Sequence, residues 1–400
     1  MNLLQEAQNI QPQLIQWRRA LHQIPEIGLN LPKTSAYVQE QLKEMGIPFQ
    51  LYGKGSAIVA TVGQGDRVIA LRGDMDALAV PEETGLPYAS KNGNMHACGH
   101  DGHTTMLLGA AKLLKDHEAD LKGTVKLFFQ HGEEICAGAP EMIQEGALTD
   151  HHVQCMYALH GQPNTQYPSG TVLVSDGNMM ASADFIDIRV IGKGCHGAMP
   201  ESGVDPVTIA AQVIQAVQTM MAREFSSQES AVLSLCSLRS RTADEEQFQK
   251  VYNVIPNCVE IAGTLRTLNS DVQQYILTRL EEIVTGICRT NRATGELKVQ
   301  HVAPVLHNPK ENAQELYASA CKVLGEDQVV YCNKPMMGSE DAAYFLQEVP
   351  GNYFNLVSYA PIEGSIHPLH SSKFCLDEQA LHRGVAVLVQ GAMDWLEKEE

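Results

Sequence analysis

Basic residues are scarce: 29 Lys and Arg stand against 47 Asp and Glu in 400 residues, a formal net charge of −18. The few cations stand singly or in pairs such as Arg18-Arg19, so the chain lacks the basic stripe that a nucleic-acid partner requires. No uninterrupted apolar run approaches the roughly 18 residues of a transmembrane helix, so no membrane partner is expected. The opening MNLLQEAQNIQPQL has no basic stretch followed by an apolar one; a secretory signal is therefore not read here, and a cytoplasmic protein is expected. The 10 cysteines lack dense, regular spacing, which argues against a disulfide scaffold and for reduced, mostly buried thiols. Repeats and low-complexity linkers are absent as well.

What remains is a globular chain, 44% hydrophobic, long enough for two or three domains. Strand-like runs at Ala57 to Val62, Val68 to Leu71 and Val125 to Phe129 alternate with helical patterns such as TTMLLGAAKLLKD. That alternation predicts a mostly parallel α/β sheet with helices on both faces. The character changes near Ala181. DFIDIRVIGKG, the helix after Asp205-Pro206, AVLSLCSL, CVEIAGTLRTL, a second helix and ELKVQHV follow in the order β-α-β-β-α-β, the plan of a split βαβ unit. This unit, 182–299, reads as an insertion into a catalytic domain made of 1–181 and 300–400.

Two stretches carry chemistry. HACGHDGH places Cys98 and His100 two apart beside a glycine, where the chain can bend both side chains onto one ion. The Glu133-Glu134 pair follows the apolar run TVKLFFQ and so falls at a strand end, where active sites of open α/β sheets lie. A strand VQCMYAL leads into His160, and His367 or His370 supplies a late imidazole. Five donors exceed the four of a closed structural zinc site, which points to an open or two-metal centre. Of two adjacent carboxylates, one can coordinate while the other accepts a proton from water; the spacing leaves open which does which. Asp74 and Asp76 of RGDMDAL can orient a ligand histidine through its other ring nitrogen. GKGCHG, Gly192 to Gly197, matches a dinucleotide-binding glycine string, but Met199-Pro200 and a loop separate it from the next helix, so no helix N-terminus meets a pyrophosphate. His196 within it remains a good donor to a developing oxyanion.

Taken together, WRRALHQIPEIG, ALRGDMDALAVPEETGLPYAS, MHACGHDGHTTMLLGAA, GEE, ALHG, GKGCHGAMP, NVIP, GTLRT, MGSEDAAYF and LHSSKF resemble the amidohydrolase subfamily of the aminoacylase and carboxypeptidase metallopeptidases, which includes hippurate hydrolase, N-acetyldiaminopimelate deacetylase and the plant indole-acetyl-amino-acid hydrolases. The resemblance spans about Trp17 to Leu388, and HACGHDGH is its most specific element. It implies a zinc-peptidase-like catalytic domain with an inserted ferredoxin-like βαββαβ lid and dimerisation domain. It further implies two divalent metal ions per subunit (Zn, Mn or Co) held by Cys98, His100, Glu134, His160 and His370, with Glu133 as general base. His196 is implied to reach the substrate carbonyl, commonly in the partner subunit's site, and Asn253 and Arg266 to hold the substrate carboxylate. Gly338 to Asp341 match a loop beside the site. The expected reaction is hydrolysis of a small-molecule N-acyl amino acid by a homodimer. A dipeptidase or carboxypeptidase on the same scaffold and a non-catalytic metal-binding homologue are the alternatives. Three departures stand out: His131 in place of a proline, ICAGAP after the glutamates, and the polar segment 239–252 before NVIP.

Overall fold

The computed structural model describes residues 2–241 and 251–398; the part of the polar segment at 242–250 lies outside them. The chain divides into two compact units, Met1–Met179 with His307–Lys334 and Glu340–Glu400, and Met180–Leu306 with Pro335–Ser339.

In the first unit an eight-stranded sheet runs in the order Phe49–Tyr52, Ala57–Gly63, Thr124–Gln130, Val68–Asp74, Cys155–Gln162, Gly351–Val357, Val172–Val174, Val329–Tyr331. The strands Thr124–Gln130, Val68–Asp74, Cys155–Gln162 and Gly351–Val357 lie side by side and parallel, and antiparallel pairs flank them. Alternation along a strand sends successive side chains to opposite faces. Ile58, Ala60 and Val62 thus join one core with the helices His100–Asp116 and Leu381–Glu397, while Ala57 and Val59 join a second with Phe128, Ala139, Met142 and Phe345. Both faces are therefore covered, and the strands read as near-continuous apolar runs for that reason.

In the second unit four antiparallel strands run in the order Ala231–Arg241, Cys258–Thr267, Ser182–Ile191, Thr294–Ala303. In chain order this is the second, third, first and fourth strand, the ferredoxin-like arrangement. Ile186, Ile188 and Val190 face the helices Pro206–Arg223 and Ser270–Thr290. The Asp205 carboxylate accepts the Val207 N–H and caps the first of these, with Pro206 at its first turn. The last strand continues through Ala303, past residue 299, and Pro335–Ser339 joins this unit because the Ala181 N–H lies 3.1 and 2.9 Å from the Met336 and Gly338 carbonyls.

Candidate metal centre

Parallel strands deliver their C-terminal ends to one edge of a sheet, and the first unit uses that edge. Val68–Asp74 ends on Asp74, Thr124–Gln130 leads into Glu133-Glu134, and Cys155–Gln162 carries His160. His160 is inside the strand rather than beyond it. His100 is the first residue of the helix His100–Asp116: Gly99, at φ 92°, turns the chain from Cys98 into the helix in the left-handed region that favours glycine. His370 has φ 65° and its N–H donates to the Ala97 carbonyl at 2.8 Å. That bond ties the late histidine turn to the Cys98 segment.

The donor atoms of Cys98, His100 and His160 lie within 4.8 Å of one another, as do those of Cys98, Glu134 and His370, and those of His100, Glu133 and Glu134. Cys98 Sγ is 3.5 Å from His160 Nε2, His370 Nε2 is 3.6 Å from Glu134 Oε2, and His100 Nε2 is 3.8 Å from a carboxylate oxygen of each glutamate. All six catalytic-domain residues singled out in the sequence meet here. Between the two late histidines, His370 joins a donor group and His367 joins none among the described residues. Cys98, His100 and His160 are buried while the His370 side chain is exposed, so the cluster opens on that side.

Both ring nitrogens of His100 and Glu134 Oε1 are buried without a hydrogen-bond partner. Leaving such atoms unsatisfied is costly; a cation in the cluster would satisfy His100 Nε2 and Glu134 Oε1, while His100 Nδ1 faces the Asp76 carboxylate. One thiol, three imidazoles and a carboxylate form a donor set for zinc or a similar divalent ion, and two groups sharing Cys98 provide for two ions per subunit. The electrostatics agree. Burial pushes the Cys98 thiol up to about 12, so its ionisation depends on a nearby positive charge. Burial, reinforced by Glu340 and Asp341, holds the Glu133 carboxyl well above the usual carboxylate range, and burial raises Glu134 as well. Burial opposes a charge on His100, but Asp74, Asp76 and Cys98 outweigh it and raise its pKa well above the usual value.

Asp76 aligns the cluster. Its two oxygens accept the N–H groups of Glu133 and Glu134, each at 3.1 Å, and Oδ1 lies 3.4 Å from His100 Nδ1. Asp74 is 3.8 Å from His100 and bonds instead to His103 at 2.6 Å. Sequence reasoning passed over His103, although three residues after His100 on a helix places it on the same face. It also passed over Arg72, fully buried, which donates to Asp74, Gln130, Glu340 and Asp341 at 2.8–3.1 Å; a lone arginine inside an apolar strand was its only signal. At the first departure, the His131 Nε2 pairs with Glu141 at 2.8 Å. At the second, Cys136 sits at φ 49° where a glycine would be unstrained.

His196, Asn253 and Arg266 belong to the second unit. Cys195–His196 pairs with Val254–Ile255 in a two-stranded ladder, and the Gly197 N–H donates to the Asn253 carbonyl, so His196 and Asn253 are neighbours. The Ala198 N–H donates to His196 Nδ1 at 3.1 Å. Arg266 Nη1 donates to Ser339 Oγ at 2.7 Å.

An α/β sheet covered on both faces, with thiol, imidazole and carboxylate donors gathered at one edge, defines a metal-dependent hydrolase. Residues 70–394 match Peptidase family M20/M25/M40, and the chain belongs to that family, as a metal-dependent amidohydrolase. Thermostable carboxypeptidase 1 of Saccharolobus solfataricus is 35% identical over 395 residues, 96% of each chain. N-acetyl-L-cysteine deacetylase of Bacillus subtilis is 35% identical over 394 residues, 98% of this chain and 90% of the relative. The solved structure of a Bacillus subtilis dinuclear metal-binding peptidase of the M20 family superposes with a TM-score of 0.83 at 30% identity, covering 98% of this chain and 99% of the other. Among the described residues no helix is long and apolar enough to cross a membrane.

Proposed function

We propose that the protein hydrolyses the amide bond of N-acyl-L-amino acids to a carboxylic acid and a free amino acid, working as a cytoplasmic homodimer. The observation that carries this reading is the position of Glu133, a buried carboxyl with an oxygen 3.8 Å from His100 Nε2 in the donor cluster. A structural metal site needs no such additional acid. Cys98, His100, Glu134, His160 and His370 would hold two divalent ions, with zinc, manganese or cobalt suited to the donors. When bound, such ions supply Lewis acidity and a water that is nucleophilic at neutral pH.

The remaining chemistry falls to the chain. Glu133 takes the proton of the water that attacks the amide carbon; the C–N bond then breaks, and Glu133 returns the proton to the leaving nitrogen. His196 donates Nε2–H to the carbonyl oxygen as its charge develops. The Ala198 N–H on Nδ1 supports that role, because it leaves the ring proton on the other nitrogen. Arg266, with Asn253, binds the substrate carboxylate, which the planar guanidinium fits. The inserted unit acts as lid and dimerisation domain; its edge strands Ala231–Arg241 and Thr294–Ala303 favour pairing with a second copy.

The relative named for N-acetyl-L-cysteine deacetylation supports an N-acyl amino acid substrate. The relative named a carboxypeptidase favours peptide cleavage as the second reading. Metal-loaded protein assayed on hippurate, N-acetyl amino acids and dipeptides separates them. Turnover of the N-acyl amino acids is expected; cleavage of dipeptides alone would establish the second reading.

A further inference from the structure

His103 bonds to two groups that the site depends on, and neither bond involves a metal donor directly. It lies one helical turn after His100 and is 1% exposed. The Gly161 N–H is 2.7 Å from its Nε2, and Asp74 Oδ1 is 2.6 Å from its Nδ1. A backbone N–H can only donate, so Nε2 is the acceptor and the ring proton sits on Nδ1, donated to Asp74. Asp74 is held in turn by Arg72 Nη1 at 2.8 Å. At the same residue, in the next peptide unit, the Gly161 carbonyl accepts the Nδ1–H of His160 at 2.7 Å, which leaves His160 Nε2 with its lone pair, 3.5 Å from Cys98 Sγ. The His103 and His160 rings pack with centroids 4.3 Å apart.

We infer that His103 is a positioning residue for His160: by holding the Gly161 backbone, whose carbonyl His160 bonds, and through the ring contact it fixes both the tautomer and the direction of the His160 imidazole, with Asp74 and Arg72 as its anchor. The inference rests on the reading of His160 as a metal ligand. Residues in this position relative to a ligand typically change metal affinity ten- to a hundredfold when altered. His103→Gln offers a donor and an acceptor but no rigid ring to hold them against Asp74 and Gly161 or to pack on His160, and Asp74→Asn keeps the shape while removing the charge that localises the ring proton.

The test starts from the zinc-loaded full chain and titrates it with a chelator, counting retained ions by mass spectrometry, with melting temperatures taken in the loaded and metal-free forms. In His103→Gln and Asp74→Asn one of the two ions should come off at roughly ten- to a hundredfold lower chelator, while the metal-free His103→Gln form melts close to wild type. A merely structural His103 would lower both melting temperatures equally and leave the chelator curve unchanged. That outcome overturns the inference. His160→Ala serves as the reference. If it sheds an ion while His103→Gln matches wild type, the positioning role alone fails; if it keeps both ions, the reading of His160 as a ligand fails first.

Discussion

Two adjacent glutamates at the end of one strand have different work in the proposed mechanism, and exchanging one oxygen for nitrogen in each should separate them. Glu133→Gln keeps volume and hydrogen bonding but cannot accept the water proton, so turnover should fall by roughly 10²–10⁴ while metal content, measured by plasma mass spectrometry, stays near wild type. Glu134→Gln removes a charged donor and should instead shed metal. Near-full activity in the first variant would remove Glu133 from the mechanism. Cys98 is the soft donor shared by two of the groups, so Cys98→Ser should weaken binding or shift the preferred ion; unchanged stoichiometry and activity would make it only a buried thiol. These residues were legible because they are neighbours in sequence: Cys98 with His100, Glu133 with Glu134. The pairing of Arg72 with Glu340 was not. They meet across most of the chain, at 2.9 Å, and no local pattern announces a partner that distant.

At the scale of elements, the helix His100–Asp116 begins earlier than its apolar periodicity suggests, because its first turn is stabilised by polar groups rather than by packing alone. Asp101 in that turn lies 2.7 Å from His22 Nδ1, and Arg18 Nε lies 2.8 Å from Asp101 Oδ2 as an ion pair off the hydrogen-bonding line. Both partners come from the helix Gln11–His22, so one buried charge pair joins the N-terminal region to the helix that starts on a candidate ligand. Arg18→Leu would leave Asp101 buried and poorly compensated, at a cost of about 3–5 kcal/mol, measurable by urea unfolding. The pH dependence has a definite sign. Burial alone would raise the Asp101 pKa, but Arg18 and His22 outweigh it and hold the carboxyl well below its usual value. Its stabilisation is therefore present above the unfolded value of about 3.9 and is lost as the pH falls through the folded one. Stability of Arg18→Leu should decline less steeply on acidification than wild type; parallel acid limbs would show that the pair contributes little. The helix after Asp205 was readable from its cap and proline. The ladder of Cys195–His196 with Val254–Ile255 was not, since two residues per strand have no period to detect.

At the scale of the whole molecule, the order of elements was readable because the period of the apolar pattern switches between strand and helix at each boundary, and because the βαββαβ run interrupts a longer α/β series. How copies of the chain assemble is not encoded in such local periods, and it has to be tested by exchange between subunits. Glu133 and His196 lie in different units of the chain. Suppose His196 serves the site of the partner subunit. A chain carrying Glu133→Gln has no base, and a homodimer of His196→Ala chains has no oxyanion donor, so each is inactive alone. In a mixed dimer the site on the His196→Ala chain keeps its own Glu133 and borrows His196 from the Glu133→Gln chain. The other site lacks its base. Random exchange of equal amounts makes half the dimers mixed with one complete site each, so about a quarter of wild-type activity should return. Exchange can be verified independently by mass labelling of one chain. Verified exchange without recovered activity would confine His196 to its own subunit or remove it from the reaction.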